Sequence, residues 1–215
     1  SPRVMVRFSD RSKTIRPTGV RRMFDMAGDD AVQFGLGEPD FQPPELAVEA
    51  FARAMREGKN KYTTTAGLPP LRQKIAEMWH HRIPTLDESN VCITMSGTNA
   101  LLDIFLAIVN PGDKVMIPEP YFPLYPPDVV ICGGEASLYP CRFENGFVPT
   151  IEDLEEVVDD STVAILYNFP SNPTGGNVDE RQRDELVEFA RANDLWLITD
   201  EVYGRIVYDS PHVSF

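Results

Sequence analysis

Four short segments carry the residue types that could do chemistry. Ser96-Gly97-Thr98-Asn99 opens a run with helical character. A small-residue loop at a helix N-terminus presents unpaired backbone N–H groups and the positive end of the helix dipole, which makes an anion cradle with Ser96 and Thr98 hydroxyls as further donors. The same residues are also ordinary helix caps. The segment matches neither GxGxxG nor GxxxxGK[ST], so dinucleotide and nucleoside-triphosphate sites lose support. The second segment, Pro118 to Tyr125, groups Tyr121, Phe122 and Tyr125. Such a group offers a flat face to a planar ring, or packs a core.

The third segment, Asn168-Phe-Pro170-Ser-Asn172-Pro173-Thr174-Gly175, contains two X-Pro steps. Proline restricts the residue before it to extended backbone, which predicts a stiff, extended loop aiming the Asn172 amide, although these are also common turn residues. The fourth is Thr199-Asp200-Glu201-Val202-Tyr203, straight after the apolar run Leu195–Ile198. A carboxylate so close to a core needs a partner, because burying an unpaired charge is costly. A protonated ring nitrogen is one such partner, and Tyr203 would then donate to an oxygen on the same ring. Capping of the following turn is the other use for Asp200.

The elements that must position these segments are read from periodicity. Helices are predicted at Leu46–Glu57, Leu71–His81, Asn99–Val109, Leu124–Ile131, Ile151–Val158 and Glu180–Ala192. Apolar strands are predicted at Val91–Met95, Lys114–Ile117, Ala136–Tyr139, Val163–Tyr167 and Leu195–Thr199. Thr150-Ile-Glu-Asp153 has the form of a capping box, and Asn110-Pro-Gly-Asp113 that of a turn. Alternating strands and helices imply an α/β fold, a mostly parallel sheet with helices on both faces. Ligands of such sheets bind at the carboxyl ends of the strands, and all four segments follow predicted strands.

Bulk properties narrow the function further. A formal net charge of −13 over 215 residues leaves no basic stripe for nucleic acid, the cluster Arg16, Arg21 and Arg22 reading as a solvated face. Cys92, Cys132 and Cys141 show neither CxxC spacing nor an even count, so no disulfide framework or zinc site is suggested. His80 and His81 read as surface residues at a helix end, and no metal site is expected. No apolar run approaches a membrane span, and Ser1–Asp10 lacks a signal-peptide core, so a cytoplasmic protein is expected.

Taken in order, Gly35-Leu-Gly37-Glu-Pro-Asp-Phe41, Lys61-Tyr62-Thr-Thr-Thr-Ala-Gly-Leu68, Asn172-Pro-Thr-Gly175 and Asp200-Glu-Val-Tyr203 resemble fold-type I pyridoxal-phosphate-dependent aminotransferases of classes I and II. The likeness runs from about Val20 to Phe215. It implies pyridoxal 5′-phosphate as cofactor, an amino acid and a 2-oxo acid as substrates, and a homodimer with shared active sites. By the same resemblance Gly97 and Thr98, with Ser96 beside them, would bind the cofactor phosphate. Phe122 would stack on the pyridine ring, and Asn172 and Tyr203 would bond its 3′ oxygen. Asp200 would pair with the ring nitrogen, Tyr62 would reach the partner subunit's phosphate, Gly37 would lie by the substrate carboxylate, and Asn172 would also contact the substrate. Residues 1–45 would form an N-terminal segment of the small domain with the substrate-side loop, and 46–215 the cofactor-binding large domain, truncated at its C-terminal end.

One family feature is missing. The lysines are Lys13, Lys59, Lys61, Lys74 and Lys114; all precede Asp200, and none stands in a Ser-x-x-Lys setting. The resemblance places the Schiff-base lysine a few dozen residues after the Asp-Glu-x-Tyr motif. The expectation is therefore a chain truncated in its large domain and inactive alone. A lyase or synthase on the same fold, or a non-catalytic protein reusing it, are the competing readings.

Overall fold

The computed structural model describes residues 7–15, 19–26, 28, 30–32, 37, 39, 41–209 and 211–215. Gly35, Leu36, Glu38 and Asp40 of the first motif and Arg16 of the basic cluster lie outside the described residues. The chain divides into two compact units, Ser1–Arg16 with Ser96–Phe215, and Pro17–Met95. The helices are α1 (Asp10–Thr14), α2 (Gly19–Met26), α3 (Glu45–Arg56), α4 (Pro69–Trp79), α5 (Gly97–Ile108), α6 (Tyr125–Ile131), α7 (Ile151–Glu155) and α8 (Glu180–Ala192). The strands are β1 (Lys114–Glu119), β2 (Glu135–Pro140), β3 (Thr162–Asn168) and β4 (Trp196–Asp200).

The first unit is built on one parallel sheet in the order β2-β1-β3-β4. Side chains alternate across a strand, so each strand feeds two cores. Val115 and Ile117 of β1, Ala164 and Leu166 of β3 and Ile198 of β4 meet Leu101 and Phe105 of α5 and Tyr125 and Val129 of α6. On the other face, Met116, Ile165 and Tyr167 meet Leu154 of α7 and Leu186 and Phe189 of α8. This double burial explains why the strands read as unbroken apolar runs. Phe105 and Tyr125 are fully buried, and each such side chain contributes about 1.5–3 kcal/mol over its exposed state.

Local sequence sets the helix ends. Ser96 caps α5, accepting from Asn99 N–H. Thr150 and Asp153 form the expected capping box at α7, and Asp179 with Gln182 forms another at α8. The Asn110–Asp113 turn closes through Asp113 N–H to the Asn110 carbonyl, with Gly112 at φ +96° where a side chain would be strained.

One predicted strand is not observed. Val91–Met95 is extended at its start but joins no sheet among the described residues. Within the second unit Ile93 N–H binds the Ala66 carbonyl at 2.9 Å and Val91 N–H the Glu88 carbonyl at 3.3 Å. An apolar extended run becomes a strand only where it joins a ladder with a neighbouring edge, and Val91–Met95 is part of no strand among the described residues. In this second unit Arg72 of α4 binds the Val91 carbonyl at 2.8 Å and also the Glu88 carbonyl. The apolar stripe of α3 is exposed, with Leu46 and Phe51 largely uncovered.

Candidate active site

The order β2-β1-β3-β4 has a switch point between β1 and β3. The chain leaves β1 through α6 on one face and leaves β3 through α8 on the other. A crevice at the carboxyl ends of two such strands is where open α/β sheets bind ligands. The loops after β1, β3 and β4 bring the second, third and fourth chemical segments to that edge.

Helix α5 delivers the first segment. Only Val109–Asp113 separates its end from β1, and Leu101, Phe105 and Val109 pack on the sheet. Twelve helical residues rise about 18 Å, matching the roughly 20 Å of a six-residue strand. The helix therefore runs antiparallel to β1 and returns its N-terminus to the carboxyl edge. The Ser96 Oγ takes the Asn99 N–H at 3.1 Å, and the Ser96 carbonyl takes Ala100 N–H. The N–H groups of Gly97 and Thr98 are left without intrahelical partners. Gly97 is exposed, and beyond its chain neighbours and its own helix backbone no described atom stands within 4 Å of where its Cβ would be. The backbone there is open to a ligand oxygen.

After β1, Phe122 is half-buried and meets fully buried Tyr125 edge-on, ring centroids 5.4 Å apart. The Tyr125 hydroxyl donates to Asp200 Oδ2 at 2.8 Å. Burial, and then the Asp200 charge beside it, push the Tyr125 phenol far above its ordinary range, so it stays a neutral donor. Asp200 Oδ1 accepts Val202 N–H at 3.2 Å. Each carboxylate oxygen keeps acceptor capacity for one more donor.

Asn168, at the end of β3, is 3% exposed. Its Nδ2 donates to the Asp200 carbonyl at 2.9 Å, and its Oδ1 accepts Asn172 N–H at 2.8 Å. The Asn172 amide in turn donates to the Tyr203 hydroxyl at 3.3 Å. The loop holding Asn172 is a closed turn and not the extended segment expected: Ser171 N–H binds the Gly176 carbonyl and Gly175 N–H the Ser171 carbonyl, both at 2.9 Å.

Of the residues singled out in the sequence, Ser96, Gly97, Thr98, Phe122, Asn172, Asp200 and Tyr203 thus belong to the sheet unit and stand at its carboxyl edge. Tyr62 and Gly37 belong to the second unit, where both are exposed. Sequence reading gave no role to Tyr125, Asn168 or the Glu201–His212 pair (2.8 Å). Tyr125 lies in the quoted aromatic group and Asn168 at a predicted strand end, so position was the available signal for both. The sheet unit's lysines are elsewhere: Lys13 pairs with Asp10, and Lys114 pairs with Asp159 at the amino end of β1.

The arrangement has known counterparts. The profile of aminotransferase class I and II matches residues 29–215. A probable aspartate/prephenate aminotransferase of Aquifex aeolicus is 37% identical over 205 residues, 94% of this chain and 52% of the relative. Aspartate aminotransferase of Thermus thermophilus, solved as a double mutant, superposes with a TM-score of 0.92 at 33% identity, covering 98% of this chain and 57% of that one. Alanine aminotransferase of Pyrococcus furiosus gives 0.89 at 32% identity, over 97% of this chain and 55% of that one. The chain spans about half the length of the curated relatives it matches. Sequence profile, sheet order and loop placement agree, and the chain belongs to the aminotransferase class I and II family, on the fold-type I scaffold.

Proposed function

We propose that the full-length protein transfers the amino group of an amino acid to a 2-oxo acid, with pyridoxal 5′-phosphate as cofactor. The observation that carries this reading is the meeting, at one sheet edge, of a carboxylate, an amide–phenol pair, an aromatic face and an open helix N-terminus. The residues fit the cofactor: Asp200 has acceptor capacity to spare on both oxygens, and Gly97 leaves its backbone uncovered.

In this reading the N–H groups of Gly97 and Thr98, with Ser96 beside them, hold the phosphate by hydrogen bonds and the helix dipole. Phe122 covers one ring face. Asn172 and Tyr203 donate to the ring oxygen, and Asp200 holds a proton on the ring nitrogen through a charge-assisted bond, short and strong away from water. When bound, the cofactor supplies an electron sink for charge that develops on the substrate. Tyr125 and Asn168 keep Asp200 and Asn172 in register.

Residues 1–45 would form the substrate-side segment, with Gly37 by the substrate carboxylate, and 46–215 the cofactor-binding domain. Exposed Tyr62 would serve the phosphate of a partner subunit in a homodimer. The lysine that holds the cofactor would lie in the part of the relatives' length that this chain does not span, so the 215 residues alone would be inactive. The test is an absorbance scan with pyridoxal phosphate. The full-length protein should develop a visible band that shifts when an amino acid is added. No band in that protein would refute the reading.

A further inference from the structure

The carboxylate next to Asp200 takes its partners from residues 212–215. Glu201 and His212 side chains are 17% and 14% exposed. Glu201 Oε2 takes His212 Nε2–H at 2.8 Å, and its Oε1 takes Phe215 N–H at 3.1 Å. The return segment is tied down twice more. Arg183 of α8 binds the Ser214 carbonyl at 2.8 Å, and the Phe215 ring stacks on Tyr167, centroids 5.3 Å apart. The turn above it is equally constrained: Gly204 N–H binds the Glu201 carbonyl at 2.9 Å and Ile206 N–H the Tyr203 carbonyl at 2.7 Å. A Cβ on Gly204 would come within 2.7 Å of the His212 ring, so ring and turn are packed without slack.

From this geometry we infer that Glu201 and His212 form a positioning pair that fixes the Asp200–Tyr203 turn, and with it the Tyr203 hydroxyl against Asn172. The imidazole and the Phe215 amide are taken by different oxygens of Glu201, and the Ser214 side chain is a third donor to it. A carboxylate accepts on both oxygens, whereas a glutamine turns an NH2 donor toward one of them. The imidazole must present its proton at Nε2, while Nδ1 is buried without a partner among the described residues. The pair touches neither cofactor nor substrate; it acts through Tyr203. Its catalytic meaning rests on the proposed pyridoxal-phosphate site, whereas the clamp itself does not.

The test uses the full-length protein with His212→Asn, His212→Gln and Glu201→Gln, and Tyr203→Phe as reference. Glutamine at 212 keeps a donor near the Nε2 position and asparagine does not. Two readouts are taken: hydrogen exchange of the Phe215 amide without cofactor, and the pyridoxal-phosphate dissociation constant with the pH midpoint of the visible band. His212→Asn and Glu201→Gln should speed Phe215 exchange roughly tenfold or more and weaken cofactor binding roughly tenfold. They should also move the band midpoint in the same direction as Tyr203→Phe, and His212→Gln should restore most of both. Faster exchange with unchanged binding and midpoint would make the pair merely structural and overturn the inference, as would unchanged exchange. Should His212→Asn or Glu201→Gln prevent folding, His212→Gln alone decides. Near-native exchange and midpoint in that variant would support the donor geometry, and loss of both would contradict it. A wild-type protein that forms no band refutes the proposed function instead, and the exchange result still judges the clamp.

Discussion

The Tyr125 hydroxyl donates to Asp200 Oδ2 over 2.8 Å, linking the start of α6 to the end of β4 across 75 residues of sequence. Both groups sit where the sheet core opens into the loops. A fully buried phenol supplies a donor without charge, so the carboxylate is held in one orientation while its charge is left for another partner. Phe122, three residues earlier in the loop before α6, packs edge-on against the same ring. Stacking face and carboxylate are thereby coupled through Tyr125.

Tyr125→Phe removes that donor and keeps the ring. The half-buried Asp200 oxygen then loses a charge-assisted bond, which costs about 1.5–3 kcal/mol. Urea unfolding of full-length wild type and variant should show this loss without a change in slope. Because burial keeps the phenol protonated, the deficit should be the same at pH 6 and pH 9; a deficit that vanishes at pH 9 would contradict a neutral donor.

Asp200→Asn separates charge from shape. The amide oxygen still accepts from Tyr125 or Val202, so the fold should survive, with a melting temperature close to that of wild type. Amino-group transfer should fall by roughly 10²–10³-fold or more, the range found when an electrostatic stabiliser is removed. Single-turnover rates read against thermal melts distinguish the two effects. Near-native transfer by the variant would remove Asp200 from the chemistry.

Glu201 sets a pH dependence whose sign follows from its surroundings. Burial alone would raise its carboxyl, but hydrogen bonds from His212, Ser214 and the Phe215 amide outweigh it and hold the group below its ordinary value of 4.5. A folded value below the unfolded one contributes stability that is fully present above pH 4.5 and is lost as pH falls through the folded value. The stability difference between wild type and Glu201→Gln should therefore shrink as pH falls below 4.5. Denaturant titrations from pH 5 to pH 3 measure it, and a difference that grows across that range would reverse the assignment.

Gly67 tests the second unit by itself. It sits at φ +100°, and a Cβ there would meet Ile93 Cβ at 2.6 Å. Gly58, at φ +73°, has no atom within 4 Å of the same point. Gly58→Ala should thus cost backbone strain alone, about 1 kcal/mol. Gly67→Ala adds the steric conflict and should cost about 2–5 kcal/mol. Equal costs in unfolding experiments would mean that the 61–68 loop and the 91–95 segment can separate freely.

Local features were legible in the sequence because they are written in neighbouring residues. α8 keeps its predicted bounds, Glu180–Ala192, since Asp179 and Gln182 cap it and its apolar face repeats. Val91–Met95 misled because strand pattern records burial, whereas pairing depends on a partner edge. Asn172, Asp200 and Tyr203 were singled out by their places after predicted strands and Ser96 by its place before a helix, and all four stand at the carboxyl edge of the sheet unit. Tyr125, Asn168 and the Glu201–His212 pair were not, since their roles depend on partners 75, 32 and 11 residues away. Nothing in a local window distinguishes the hydroxyl of Tyr125 from that of any core tyrosine.

Asn168 shows how such a partner can be tested by polarity rather than by size. Its two neighbours fix the amide orientation: the Asp200 carbonyl can only accept, and the Asn172 N–H can only donate. Asn168→Ala leaves both half-buried groups unpaired and should cost roughly 1–3 kcal/mol for each. Asn168→Asp keeps the acceptor for Asn172 but turns a lone pair, and a charge, toward the Asp200 carbonyl. At pH 7 the aspartate variant should therefore be at least as unstable as the alanine variant, despite its closer shape. Both variants should also weaken cofactor binding, since Asn172 loses its anchor to β3. Urea unfolding ranks the pair, and an aspartate variant as stable as wild type would show that the bridge between β3 and β4 does not form.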